Sequence, residues 1–123
     1  MDEHTAKANE ENDEMTVDYA NNTMFEPTIW DLKLIFGEYS QRTQSVEYHT
    51  SITVPWLQAK MILYFLQANI AAHEAVYGKV RIPPEATPPE WTAPTPEQAE
   101  SQPKSQEIFE TLKKLRQQFL DNS

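Results

Sequence analysis

The fold is decided by the stretch 46-VEYHTSITVPWLQAKMILYFLQANIAAHEAVYG-78, in which the spacing of apolar residues changes at Pro55. Before Pro55, side chains alternate over residues 46–53, which predicts a strand. One face of this strand carries Val46, Tyr48, Thr50 and Ile52. After Pro55, apolar residues recur at helical spacing, which predicts a helix with Pro55 in its first turn and Gly78 as its C-terminal stop. A strand is therefore expected to lead directly into a long helix.

Two further strands are predicted before this stretch. Residues 29–36 alternate, with Asp31 and Lys33 opposite an apolar face that carries Trp30, Leu32, Leu34 and Phe36. Gly37 is expected to end that strand and residues 38–45 to form a loop, while residues 17–25 form a shorter first strand. Asp31 is expected to join a cross-strand ion pair or to protect a sheet edge. The predicted fold class is α+β, a small antiparallel sheet of about three strands followed by one long helix.

The helix after Pro55 has an apolar face that is too broad for one side of a small sheet to cover. A folded segment over residues 19–82 without cysteines is also marginal alone, because a small domain buries too little surface. Both features predict a homo-oligomer, either a dimer or a higher assembly, formed through this helix or a sheet edge. The expected interface residues are Met61, Tyr64, Phe65, Ala68 and Ala72.

The net charge of -9 is confined to two segments of the chain. Residues 1–18 hold seven acidic residues and one lysine, and residues 83–104 hold four acidic residues and one lysine. Residues 19–82 and 105–123 are each electrically balanced. Because residues 1–18 contain almost no apolar side chain, we expect a disordered acidic tail there. The acidic balance argues against a nucleic-acid backbone as ligand, since that requires clustered basic residues.

A proline-rich segment and a second helix follow Gly78. Seven of the nine prolines lie in residues 83–104, which predicts a semi-rigid, extended linker. Residues 105–123 are predicted to form a separate amphipathic helix that Ser105 caps. This helix either packs on its own chain or oligomer or binds a groove on a protein partner, and Trp91 either pins the linker or anchors a partner. The candidate partner-binding residues are Trp91, Ile108, Phe109, Leu112, Leu115 and Phe119.

Short motifs within residues 19–82 together resemble those of one prokaryotic protein family. They are Tyr19-Ala20-Asn21, Asp31-Leu32, Phe36-Gly37, Pro55-x-x-x-Ala59-Lys60, Leu66, Asn69-Ile70, Glu74 and Gly78. In this order and spacing, the segment resembles the domain-of-unknown-function family number thirty-four sixty-seven. The chain departs from the family pattern at Val54, where a small hydroxyl residue is expected, and at His73, where an aromatic residue is expected. The resemblance implies a strand-strand-strand-helix unit and no known activity.

The sequence contains no arrangement of residues that is typical of an enzyme or a metal site. The chain has no cysteine and two glycines, so thiolate chemistry is excluded and glycine-rich phosphate loops are scarcely available. His4, His49 and His73 are far apart, and no second histidine follows His73 by one helical turn. We therefore expect no catalytic residue, no metal and no cofactor.

These features favour a non-enzymatic, oligomeric protein-interaction or assembly module with the C-terminal helix as a tethered binding element. A holdase-like chaperone is a variant of this hypothesis. The alternative is a dimeric nucleic-acid-associated regulator, with basic residues at Lys33, Arg42, Lys60, Lys79 and Arg81. Residues 1–18 lack the features of a signal peptide, and the apolar stretch 61–72 is shorter than a membrane span. A cytoplasmic location without membrane contact is therefore expected.

Overall fold

The computed structural model describes Met15 and residues 17–122. Its elements, in chain order, are the strands β1 (Asn22–Pro27), β2 (Asp31–Ser40) and β3 (Ser45–Pro55), the helix α1 (Trp56–Tyr77), a 3-10 turn (Pro84–Ala86), and the helices α2 (Pro96–Ser101) and α3 (Ser105–Asp121). The predicted fold class is confirmed, because a three-stranded antiparallel sheet in the order β1-β2-β3 precedes a long helix and a C-terminal helix. The segment predicted to be a disordered acidic tail lies outside the described residues, apart from Met15, Val17 and Asp18.

The chain divides into two compact units, unit 1, which ends at Leu66, and unit 2, which begins at Gln67. Unit 1 contains the sheet and the first half of α1, and unit 2 contains the second half of α1, the proline-rich segment, α2 and α3. These units describe packing within one chain and do not test whether residues 19–82 and 105–123 fold independently. The domain division at residues 82 and 104 therefore stays a prediction.

A tight turn at residues 28–30 joins β1 to β2 and sets their register. The Thr28 N–H donates to the Asp31 carbonyl over 2.8 Å, and the Asp31 N–H donates to the Thr28 hydroxyl oxygen over 3.0 Å. That hydroxyl in turn donates to Asp31 Oδ1 over 2.9 Å. Asp31 therefore braces the turn instead of joining the expected cross-strand ion pair, and Lys33 is the residue that lies opposite an acidic one, Glu26.

The strand β1 begins at Asn22, later than the predicted start at residue 17, because Asn21 closes the β1–β2 ladder. The Asn21 N–H donates to the Gly37 carbonyl, and the Tyr39 N–H donates to Asn21 Oδ1, both over 3.0 Å. An asparagine side chain that bonds to the backbone competes in this way with regular strand pairing.

The strand β2 does not end at Gly37, contrary to the prediction, but continues to Ser40 through a β-bulge. A Cβ atom at position 37 would lie 2.7 Å from the Glu47 carbonyl oxygen and 3.0 Å from the Tyr48 Cα atom. Glycine is therefore required for a close approach of two backbones, which is a common role of glycine inside a strand.

The bulge also splits the face predicted for β3. Phe36 pairs with Thr50, whereas Gly37, the next residue, pairs with Tyr48. Since paired residues share a face and successive residues of β2 alternate, Thr50 and Ile52 lie on one face and Tyr48 on the other. The predicted common face of Val46, Tyr48, Thr50 and Ile52 is therefore wrong, because a sequence pattern does not reveal the extra residue of a bulge.

The helix α1 begins at Trp56, and Pro55 is the last residue of β3 and not part of the first helical turn as predicted. The Trp56 Nε1–H donates to the Thr28 carbonyl over 2.9 Å, which ties the start of the helix to the β1–β2 turn. The predicted C-terminal stop is confirmed, because Gly78 has a φ of 92° and its N–H donates to the Glu74 carbonyl.

The proline-rich segment is less extended than predicted, because it includes the 3-10 turn and α2. Thr95 and Gln98 form a capping box at the start of α2: the Gln98 N–H donates to the Thr95 hydroxyl oxygen, and the Thr95 N–H donates to the Gln98 side chain. The predicted cap of α3 is wrong, since Ser105 is already its first helical residue and its hydroxyl donates to the Gln98 carbonyl.

Candidate interaction surfaces

The register of the sheet gathers apolar side chains on one face. Paired residues of antiparallel strands point to the same side, and successive residues alternate. The apolar sheet face consists of Phe25, Pro27, Leu32, Leu34, Phe36, Ile52 and Val54. Val54 is 8% exposed and is the one buried apolar side chain among the described residues, whereas Phe25 and Ile52 are 56% and 52% exposed. The face is therefore formed but only partly covered, since Leu32, Leu34 and Phe36 are half-buried.

The helix α1 provides a second apolar surface, and none of its residues is buried. Its apolar residues surround the helix axis, an arrangement that is typical of a helix enclosed by other elements. The predicted interface residues Met61, Tyr64, Phe65, Ala68 and Ala72 are all exposed. The rings of Tyr64 and Phe65 meet edge to face, with their centroids 5.2 Å apart. Exposure makes these residues available for contact, and their role in an interface stays a prediction.

Within unit 2, part of the proline-rich segment lies along α3. A groove of about 820 Å³ has Pro89 and Trp91 in one wall and Leu112, Leu115 and Phe119 in the other. The Arg116 Nε–H donates to the Pro88 carbonyl over 3.1 Å and holds the two walls together. We call this cavity the proline groove.

A smaller groove of about 270 Å³ adjoins the first and shares Trp91 and Leu112 with it. Ile108 and Phe109 line it together with Gln98 from α2. All six residues that the sequence identified as candidate partner-binding residues therefore line these two adjoining grooves. The structure brings Trp91 beside the apolar side of α3, and whether a partner binds there stays a prediction.

A third groove, of about 620 Å³, lies between the second half of α1 and α3. Ile70 and Ile82 contribute to one side, and Leu115 and Phe119, which also line the proline groove, contribute to the other. Two hydrogen bonds brace this part of unit 2, from Lys79 Nζ to the Asn122 carbonyl over 3.3 Å and from the Val80 N–H to Glu74 Oε2 over 2.8 Å. No sequence pattern predicts these contacts, because they join residues with no shared periodicity.

His49 belongs to a small hydrogen-bonded cluster beside the bulge. Its Nε2 lies 2.9 Å from the Tyr19 carbonyl, which can only accept, so this nitrogen carries the proton of that bond. Its Nδ1 lies 2.7 Å from Thr50 Oγ1, and the Thr50 hydroxyl donates to Asp18 Oδ2 over 3.2 Å. The cluster attaches residues 18–19 to β3, a link between distant positions that a sequence pattern does not reveal.

The part of the chain that the structure describes contains no cluster of metal-ligating side chains. Within it, no three or more histidine, aspartate or glutamate side chains come close enough together to hold a metal ion. His73 instead lies beside Tyr77, one helical turn away, with ring centroids 5.0 Å apart. No helix among residues 17–122 is both long enough and apolar enough to cross a membrane.

Comparison with protein families gives a match over residues 1–82 to the family described as "Protein of unknown function (DUF3467)". It is the family that the motifs of residues 19–82 resemble, and the match begins 18 residues earlier, so it includes the acidic segment. No match is found among the curated proteins or among the solved structures. Since the match covers 82 of 123 residues, the chain belongs to the DUF3467 family of proteins of unknown function.

Proposed function

We propose that this protein is a non-enzymatic assembly module, in which identical copies associate through apolar surfaces and α3 offers apolar side chains to a protein partner. One observation carries the proposal: Val54 is the one buried apolar side chain among the described residues. Large apolar side chains in unit 1 are instead open to solvent, including Ile29, Trp30 and Leu57, at 82%, 78% and 74% exposure.

A single copy gains little free energy of folding from the hydrophobic effect. Fixing the backbone of each residue costs roughly 1–2 kcal/mol, and burial of apolar surface returns roughly 25 cal/mol per Å². With one buried apolar side chain among the described residues, a single copy gains less of the main term that offsets its conformational entropy. Association of copies supplies the missing burial, as in obligate dimers that have no stable folded monomer.

Unit 1 has two surfaces that suit such an association, the apolar sheet face and the first half of α1. A stable interface removes roughly 800 Å² from each partner, and several large side chains on these surfaces are at least 40% exposed. Among them are Phe25, Ile52, Met61, Tyr64 and Phe65. Closed symmetry is the common outcome when a chain binds its own copies, so a dimer or a small closed oligomer is expected.

The first experiment is size-exclusion chromatography with multi-angle light scattering over a dilution series of the full chain. The expected result is a mass of two or more copies that falls only at the lowest concentrations, together with loss of helical circular dichroism on dissociation. A folded monomer of 14.2 kDa at every concentration would overturn the assembly proposal.

The partner-binding part of the proposal is supported by the apolar grooves along α3. Phe119 lines two of them and is 49% exposed, so a charge there should weaken binding of an apolar segment. Affinity purification would compare the full chain, residues 1–104, Phe119→Asp and the control Gln117→Asp, an exposed position that lines none of these grooves. A partner captured by the full chain and by Gln117→Asp, but by neither of the others, supports the proposal. Equal capture by all four contradicts it.

A holdase-like role is a second candidate, favoured by the size and apolar lining of the proline groove, about 820 Å³. A groove of that kind suits short apolar segments of an unfolded chain. The test is whether the protein suppresses the heat-induced light scattering of an unrelated enzyme, with Trp91→Ser as the variant and Thr92→Ser as its control. If both variants suppress light scattering equally, the proline groove is not the surface that binds unfolded chains.

A further inference from the structure

Among the residues that the structure describes, nothing pairs with the outer edge of β3. This strand pairs with β2 alone in the sheet order β1-β2-β3. Within the described residues, no further backbone hydrogen bond reaches Thr50, Ser51, Ile52 or Thr53. An edge of this kind carries unpaired N–H and C=O groups and is a template for pairing with another strand.

The β1–β2 turn fixes which backbone groups of β3 face outward. Thr28 and Asp31 are hydrogen-bonded across the turn, so the odd-numbered residues from Asp31 to Gly37 direct their backbone groups toward β1. The even-numbered residues of β2 therefore bond to β3, and their partners are Val54, Ile52 and Thr50. This leaves the N–H and C=O groups of Ser51 and Thr53 on the outer edge.

Two prolines agree with this assignment. Pro27 and Pro55 both occupy positions at which the backbone nitrogen points away from β2. A proline there removes no bond of the ladder, which is why prolines are confined to such positions in sheets.

The bulge limits the length of edge that a second strand can follow. Beyond it, Glu38 pairs with Glu47 and Ser40 with Ser45, so the outward groups belong to even-numbered residues of β3. A straight partner strand therefore stays in phase only over residues 50–55. This part of the edge has no charged side chain, whereas the β1 edge carries Glu26 and Pro27, two residue types that discourage edge pairing.

We infer that this edge pairs with the same edge of a second copy, antiparallel and about a two-fold axis at Ile52. Ser51 of each copy then exchanges N–H···O=C bonds with Thr53 of the other, which makes four bonds in all. Ile52, 52% exposed in one copy, faces its own equivalent on the apolar sheet face. The inference rests on the proposed homo-oligomer and names the surface and register through which it forms.

Neighbouring registers form fewer bonds. An axis at Ser51 pairs His49 with Thr53, and His49 is the residue that the bulge removes from the regular ladder. An axis at Thr53 pairs Ser51 with Pro55, which has no N–H to donate. The Pro55 carbonyl is also engaged, because it lies directly before α1 and accepts the first helical hydrogen bond. Each alternative retains about two good ladder bonds, against about four for the axis at Ile52.

Single cysteines test the register directly, because the natural chain contains none. Facing residues of a non-hydrogen-bonded pair have Cα atoms about 4.5 Å apart, within the range of a disulfide. Ile52→Cys is therefore expected to form covalent dimers under mild oxidation at least about tenfold faster than Ser51→Cys or Thr53→Cys. In those two variants, the cysteines of the two copies are diagonal neighbours about 7–8 Å apart. Thr43→Cys, in the β2–β3 turn, gives the rate of random collision.

The double variant Ser51→Cys/Thr53→Cys is an independent measurement that leaves Ile52 in place. It should cross-link faster than either single variant, because residues 51 and 53 face each other between copies. Fastest linking of Ser51→Cys alone, or of Thr53→Cys alone, would overturn this register. If light scattering shows a dimer but no variant cross-links faster than Thr43→Cys, the dimer does not form through the β3 edge, and the proposed function is unaffected. A strict monomer would overturn both.

Discussion

Unit 1 has a backbone ladder between strands, and the described part of unit 2 has none. In unit 1, the backbone ladder fixes the register from Asn22 to Pro55, yet the apolar sheet face that this register creates is only partly covered. In unit 2, side chains bond to distant backbone, as Arg116 does to Pro88, and the apolar side of α3 has Trp91 as a neighbour. A sheet with a unique register and only one buried apolar side chain among the described residues supports the proposed association of copies. The apolar side of α3, in contrast, is partly covered by Trp91 of the same chain.

The largest effect that would sharpen this contrast is expected in unit 1. Tyr64→Asp places an unpaired charge on the exposed apolar surface of α1, and burying that charge between copies costs several kcal/mol. The dissociation constant of the assembly should rise at least about a hundredfold, which corresponds to about 2.8 kcal/mol. Light scattering over a dilution series measures this change.

The matched control for this variant is Gln58→Asp, a polar and exposed position on the same half of α1. It should assemble as the natural chain does. Equal masses for Tyr64→Asp and the natural chain at every concentration would mean that this surface of α1 stays in solvent.

The next largest effect is expected on the stability of the pairing between β2 and β3. Gly37→Ala forces a Cβ to within 2.7 Å of the Glu47 carbonyl oxygen, and because the obstacle is backbone, the strands must separate locally. Overpacking of this kind costs about 1–3 kcal/mol, and we expect the upper end of that range. Urea unfolding followed by tryptophan fluorescence, at fixed protein concentration, gives the change. A midpoint equal to that of the natural chain would show that the bulge adjusts freely.

Gly78→Ala makes the corresponding change in unit 2, for a different reason. Nothing lies within 4 Å of the added Cβ, but the φ of 92° is strained for any residue with a side chain. We expect a loss of about 1–2 kcal/mol, measured by thermal unfolding at fixed concentration. Gly78→Asn is the control, because asparagine tolerates a positive φ better and should recover part of the loss. A larger loss for asparagine than for alanine would contradict the conformational explanation.

The contrast between the units also shows what the sequence could and could not predict. The alternation in β2 and the change of spacing at Pro55 are local patterns, so they predicted three strands and a long helix. The bulge depends on contact between Gly37 and the Glu47 backbone, and no pattern within either strand reveals it. The α2 capping box was readable as Thr95-Pro96-Glu97-Gln98, but the density of prolines favoured an extended linker instead.

The same reasoning applies to the candidate surfaces. Helical spacing alone selected Ile108, Leu112, Leu115 and Phe119, and the structure places them along two grooves. The position of Trp91 beside them depends on the path of the proline-rich segment. That path is set by tertiary bonds, such as the one from Arg116, which have no signature in the sequence.

The smallest expected effect tests whether that bond holds the proline groove together. Arg116→Met keeps the aliphatic length of the side chain but removes the hydrogen bond to the Pro88 carbonyl, which is part-buried and worth about 0.5–1.5 kcal/mol. If the bond positions the segment, the fluorine resonance of Trp91 in 5-fluorotryptophan-labelled protein should move toward its solvent-exposed position. Lys113→Met, an exposed position one turn earlier, should leave it unchanged. Equal shifts in both variants would mean that lost charge, and not the bond, moves Trp91, and unit 2 would then lack the internal cover that distinguishes it from unit 1.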